Sequence, residues 1–240
     1  MASTLPPDLF DTTTLISLAF VVVLLGAAYF VSLAVLDRNT PGQLRFLFIW
    51  HGFDALIHFF FEGSFLYHCF FSAIPAHSAE AKGAYPDPEN YLGTTGLVHG
   101  SQAGGANPFA QLWMVYARAD KRWGGVDLGV VSLELLTVFV VGPMAVWVCY
   151  DIAKKNPRAN VTMIMLATAE LYGGFMTFCP EWLVGSINLD TSNFMYMWVY
   201  LVFFNMLWVW IPIYAIWTSA ADIFDAFKVR SVSQASKKLK

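Results

Sequence analysis

The sequence predicts an all-α, polytopic membrane protein: a bundle of five membrane-spanning helices with one long loop. Composition is the first reason, since 57% of the 240 residues are hydrophobic and only 13% charged, with a mean hydropathy of +0.54. That balance belongs to integral membrane proteins. Span length is the second: a bilayer core needs about 20 apolar residues per helix, and stretches 13–36, 46–71, 128–150, 161–184 and 194–221 qualify. The third is the absence of the apolar and polar alternation that a membrane barrel requires.

The first span, from Thr13 to Leu36, carries no charge and is too long for the apolar part of a cleaved signal peptide, so it reads as a retained helix behind a short lumenal segment, 1–12. Between spans two and three runs a loop, 72–126, rich in Gly and Pro; loops of that length are functional or disordered. Its second half, Phe109 to Arg122, reads as a short amphipathic helix carrying Leu112, Trp113, Val115 and Tyr116, placed to cover an entrance or to anchor in the interface. Gly124 and Gly125 then allow the turn into span three. Residues 222–240 form a basic tail.

Orientation follows from the cations. Arg38, Arg45, Lys154, Lys155, Arg158, Lys228, Arg230, Lys237, Lys238 and Lys240 fall on one side, and only Lys82, Arg118, Lys121 and Arg122 on the other. The richer side is cytosolic, which puts the amino terminus in the lumen and the carboxyl terminus in the cytosol. The ending Lys237-Lys238-Leu239-Lys240 has the form of a dilysine retrieval signal of the endoplasmic reticulum, although basic tails also anchor to anionic lipid. Cys69, Cys149 and Cys179 are too few and too embedded for a disulfide framework. A net charge of -3 gives no reason to expect a nucleic-acid partner.

Within span two, Asp54, His58 and Glu62 recur every fourth residue and so share one helical face. Ionisable groups in hydrocarbon cost about 2.5–3.5 kcal/mol each on insertion scales, so such a stripe has a task or a set of partners. Handling protons is the functional reading; a helix contact satisfied by neighbouring polar groups is the alternative. Other spans supply Glu134 and Thr137, Glu170 and Tyr172, and Asn205 with Trp208. Glu62, His58, Glu134, Asn205 and Trp208 all fall roughly 9 to 21 Å from the lumenal ends at about 1.5 Å per residue. That common depth predicts one shared cavity.

The pattern His58-Phe-Phe-Phe-Glu62-Gly63, Leu112-Trp113 with Tyr116, Asp120-Lys121-Arg122, Ser132-Leu133-Glu134, Gly142-Pro143, Tyr172-Gly173, Glu181 and Asn205-Met-Leu-Trp208 with Pro212 resembles the emopamil-binding protein family. Those proteins are sterol Δ8–Δ7 isomerases of the endoplasmic reticulum with an EXPERA domain. The resemblance implies a five-helix bundle over 13–221 that admits a sterol or other polycyclic lipid from the bilayer, as a homodimer, without cofactor or metal. Contacts with other sterol-pathway membrane enzymes are compatible with it. It also implies His58 and Glu62 as the proton-transfer pair, Glu134 as the facing acid, Thr137 and Asn205 as polar supports, and Trp208 as an aromatic wall. Three departures bear on the substrate: the loop is longer, Asp54 stands where the family is apolar or small, and Glu170 where it has Gln.

The chemistry is coherent without the resemblance. Moving an unactivated double bond by one carbon requires an acid, a base and a stabiliser of positive charge. Catalytic groups are expected in His58, Glu62 and Glu134, with Thr137, Tyr172, Asn205, Trp208, Asp54 and Glu170 around the substrate. A desolvated Trp208 would add about 2 kcal/mol of cation–π attraction. Alternatives are a related isomerase or cyclase of terpenoids, motivated by Asp54 and Glu170, and a non-catalytic binder of sterols or amphiphilic amines. Metal and nucleotide chemistry are disfavoured: His51, His68, His77 and His99 follow no ligand spacing, one stripe cannot wrap an ion alone, and no Gly-rich fingerprint opens a helix.

Overall fold

The computed structural model describes residues 12–78, 85–192 and 194–238. The amino-terminal segment, Lys82, Leu239 and Lys240 lie outside them. Five helices are long and apolar enough to cross a membrane: α1 Thr12–Val35, α2 Gly42–Phe71, α4 Leu128–Ala153, α5 Arg158–Leu183 and α6 Met195–Lys237. Between α2 and α4 stand a two-stranded antiparallel hairpin, β1 Ala73–Pro75 with β2 Leu97–His99, and the short helix α3 Pro108–Tyr116. The protein is a multi-pass membrane protein of the expected class, with every span limit within four residues of the expected one except the carboxyl end of α6.

The starts are chemically marked. Helix α2 begins directly after Pro41, four residues earlier than its apolar run, because the turn Pro41–Arg45 is polar and still helical. Asn107 caps α3 by accepting from the Phe109 and Ala110 amides, with Pro108 fixing the first turn. Asp127 caps α4 through the Val130 amide. At the far end α6 does not stop at the edge of its apolar run; residues 222–237 continue the same helix, since they include no Gly or Pro to end it.

The described residues of the 72–126 loop form a cap over one end of the bundle. The expected helix ends six residues early, at Tyr116, and the chain turns back through Asp120. Gly100, at φ 93°, lies so close to Gly125 that a β-carbon on it would strike the Gly125 backbone, and one on Gly125 would strike the Pro86 carbonyl. Trp113 stacks on Trp123 at 4.8 Å, donates through its indole nitrogen to Ser64 at 3.0 Å, and packs on Phe61 and Phe65. Buried side chains form a loop-end core around Phe53, Phe65, Trp113 and Val126 and an opposite core around Leu47, Ala145, Val148, Leu166 and Ala215. Small residues in the second bring α2, α4, α5 and α6 close together. Asp54, His58 and Glu62 lie on α2 between these two cores.

Candidate active site

Three spans widen into π-helical turns, Ile57–Glu62 in α2, Thr137–Val141 in α4 and Met195–Phe204 in α6. Each holds or borders an expected site residue, and the first two pack against each other. Turns of this kind are uncommon and concentrate at functional sites. No sequence signal marked them.

His58 is the centre. Its Nδ1 meets the Glu62 carboxylate at 2.5 Å, one turn along, and its Nε2 lies 3.2 Å from Asp54 Oδ1. The first contact is a hydrogen bond; the second is close but not aligned as one. Glu62 in turn reaches the carboxyl of Glu134 and the hydroxyl of Thr137 from α4. Thr137 donates to Glu134 at 2.8 Å. Two carboxyls bond to each other only when one carries a proton, so Glu62 and Glu134 are placed to share one.

Asp54 is fully buried and accepts from the Trp208 indole N–H at 2.7 Å. Trp208 packs on Trp50 and Phe53, so its ring is fixed by α2 while its polar edge serves Asp54. Glu170 comes in from α5 beside Asp54, and Asp54, His58 and Glu170 present atoms within 4.8 Å of one another. They are the one set of three potential metal ligands this close among the described residues.

Two expected residues are placed elsewhere. Tyr172 is 63% exposed on the outer face of α5, two residues beyond Glu170 and therefore turned away from it. Asn205 donates to the Tyr116 hydroxyl at 3.2 Å and to the Tyr200 and Leu201 carbonyls freed by the widened turn, so it ties α6 to the cap and does not bond to the acids. Two residues outside the expected set belong here. Tyr116 is the cap's contact with Asn205, its hydroxyl pushed up by burial and by the nearby Asp120. His51, fully buried with neither ring nitrogen bonded, extends the stripe by one turn; its position three residues before Asp54 was a readable signal.

The cap is latched by charge. Arg122 donates to both oxygens of Asp120, at 2.9 and 2.6 Å, and to the Thr177 carbonyl of α5 at 2.6 Å, with Glu181 at 3.9 Å. The segment following α5 pairs with it through Asp120 and Leu189.

Residues 108–219 match the model of EXPERA, the expanded EBP superfamily. Relatives include a 3-beta-hydroxysteroid-Delta(8),Delta(7)-isomerase of Cavia porcellus, 27% identical over 117 residues, covering 49% of this chain and 51% of the relative. A probable isomerase of the same name from Arabidopsis thaliana is 28% identical over 168 residues, 70% of this chain and 61% of the relative. A protoglabretal synthase of Ailanthus altissima is 26% identical over 151 residues, 62% and 56%. The chain thus spans between about half and three fifths of the length of these relatives. With its motifs carried on five membrane-spanning helices, the chain is similar to the emopamil-binding protein family over residues 108–219.

Proposed function

We propose that this protein is a double-bond isomerase of a polycyclic lipid, and specifically a sterol Δ8–Δ7 isomerase of the endoplasmic reticulum membrane. The observation that carries the reading is the buried, hydrogen-bonded line from His58 through Glu62 to Glu134 and Thr137, contributed by two helices. Such a line holds a transferable proton away from water, which is what protonating a weakly basic alkene demands.

In this mechanism a proton passes from the His58, Glu62 and Glu134 group to one alkene carbon, whose π electrons form the new C–H bond. The carboxylate left behind attracts the resulting tertiary cation in a medium of low dielectric. Loss of a proton from the neighbouring carbon then forms the shifted double bond, and no redox equivalent is consumed. Trp208 acts through its bond to Asp54, and Asn205 through the cap.

The test is incubation of the purified protein with a Δ8 sterol in heavy water. The expected product is a Δ7 sterol carrying solvent deuterium at the protonated carbon. His58→Ala or Glu62→Gln protein that converts the sterol at an undiminished rate refutes the assignment. The orientation with a cytosolic carboxyl terminus, supported by the placement of basic residues, and a homodimeric state belong to the same proposal.

A second reading is favoured by one observation. Asp54 and Glu170 add a second pair of acids beside His58, and some relatives bear names of terpenoid products. A triterpenoid turned over faster than the Δ8 sterol would select it.

A further inference from the structure

Resting on the isomerase reading, a division of labour can be drawn within the cluster. His58 stands between two carboxyl pairs, Glu62 with Glu134 on one edge and Asp54 with Glu170 on the other. The first pair is bonded throughout, to the imidazole and to Thr137. The second is not. Apart from each other and the His58 imidazole, Asp54 Oδ2 and both oxygens of Glu170 meet no polar partner, although Glu170 is only 8% exposed and Asp54 wholly enclosed. Carboxyl oxygens buried with no donor of their own are placed to accept an arriving proton. The two carboxyls and the imidazole present atoms within 4.8 Å of one another, so a proton reaching either acid is shared by the pair.

We propose that Asp54 and Glu170 are the proton-accepting half of the site: Glu170 takes the proton that leaves the carbocation, and Asp54 is the positioning residue that holds both Glu170 and His58. In the forward step the C–H electron pair next to the cation becomes the new π bond and the proton passes to a Glu170 oxygen. The donor pair supplies one proton per turnover, the acceptor pair receives one, and exchange with solvent resets both. The Trp208 N–H, bonded to Asp54 Oδ1, fixes that carboxyl beside Glu170 and His58. His51 is the other titratable side chain facing Asp54 from α2.

The experiment compares isotope effects in purified full-length protein acting on a Δ8 sterol, unlabelled or deuterated at the carbon that loses its proton. In the wild type, cation formation limits the rate, so the solvent isotope effect is large and the substrate effect small. For Glu170→Gln, turnover falls by about 10²- to 10⁴-fold, and the substrate effect rises to a full primary one while the solvent effect shrinks. Asp54→Asn shifts the same way, and Glu170→Asp restores part of the rate. Glu62→Gln lowers turnover with the substrate effect still small. The inference is overturned if Glu170→Gln keeps its rate, or slows with both isotope effects unchanged at an unaltered melting temperature. It is also overturned if the wild type carries a stoichiometric metal ion that Glu170→Gln loses, since the pair would then hold a metal in place of a proton. Should Glu170→Gln not fold, Asp54→Asn decides by the same criterion. A wild type that converts no Δ8 sterol removes the isomerase reading and this inference together, whereas the other failures touch this inference alone.

Discussion

Replacing Trp208 by Phe separates two roles that a buried indole can play next to a cationic intermediate. A phenyl ring retains the packing on Trp50 and Phe53, at 5.2 and 6.2 Å between centroids, and most of the cation–π attraction, but it has no N–H. Asp54 then loses its 2.7 Å donor inside a fully buried site where Oδ2 already lacks one. A hydrogen bond to a charged group contributes about 1.5–3 kcal/mol. If that stabilisation supports the transition state, turnover falls roughly 10- to 150-fold. The assay is initial-rate conversion of a Δ8 sterol by Trp208→Phe, Asp54→Asn and the double variant. Because Trp208→Phe removes the donor and Asp54→Asn the negative charge that strengthens the same bond, the double variant should be little slower than the slower single one, leaving an interaction energy of about 1 kcal/mol or more. Full activity in Trp208→Phe, or strictly additive losses, would refute the reasoning and return Trp208 to the role of a wall.

Other outcomes follow from the same geometry. Thr137→Val keeps the shape and removes the 2.8 Å donor to Glu134, costing about 0.5–1.5 kcal/mol and so roughly 2- to 12-fold in turnover; an unchanged rate would detach Thr137 from the acid pair. Tyr172→Ala, on the outer face of α5, should leave turnover and melting temperature nearly unchanged, within about 0.5 kcal/mol. In the cap, burial pushes the Asp87 carboxyl up against a weaker opposing pull from the His99 amide. A raised folded value gives a contribution that is complete below the unfolded value and lost as pH rises through the folded one. Melting temperature should therefore gain as the pH is lowered from neutral toward the ordinary carboxylate range, and Asp87→Asn should flatten that gain; an equal slope in both proteins contradicts it.

The bundle was legible because its signals are additive. Five apolar runs each outweigh any local exception, so helix number and most limits followed from length alone. The stripe in α2 was legible for a related reason: charges in hydrocarbon stand out, and a four-residue period survives the widened turn between Ile57 and Glu62. Depth along a helix, however, says nothing about which way a side chain turns. Tyr172 and Glu170 are two residues apart at nearly one depth, and only rotation about the α5 axis separates the outer face from the cluster. The partners of Asn205 were hidden for a different reason. Its amide is committed to carbonyls that a regular helix would have paired internally, and the π-turn that frees them leaves no mark on the sequence. The cap, in turn, is held by Trp113, Trp123 and Arg122, whose partners are distant in the chain.

Arg122 shows how far the site depends on those distant partners. Its planar fork serves both oxygens of Asp120 and the Thr177 carbonyl at once, joining the cap to α5 under nearly complete burial. Lysine keeps the charge but not the fork, and its single ammonium cannot reach three acceptors in fixed directions. Burial already pushes the Asp120 carboxyl up despite the guanidinium, and Glu181 adds a second negative group, so any loosening leaves two acids undercompensated. Breaking a buried pair costs about 3–5 kcal/mol, and at about 2–4 °C per kcal/mol the melting temperature of Arg122→Lys should drop by roughly 6–20 °C. Because Tyr116, which the cap holds against Asn205, moves with it, turnover of a Δ8 sterol should also fall, well below the melting transition. An Arg122→Lys protein that melts normally would mean that hydrophobic stacking alone keeps the cap closed. One that melts early yet turns over normally would free the proton-transfer chemistry from any need for the cap.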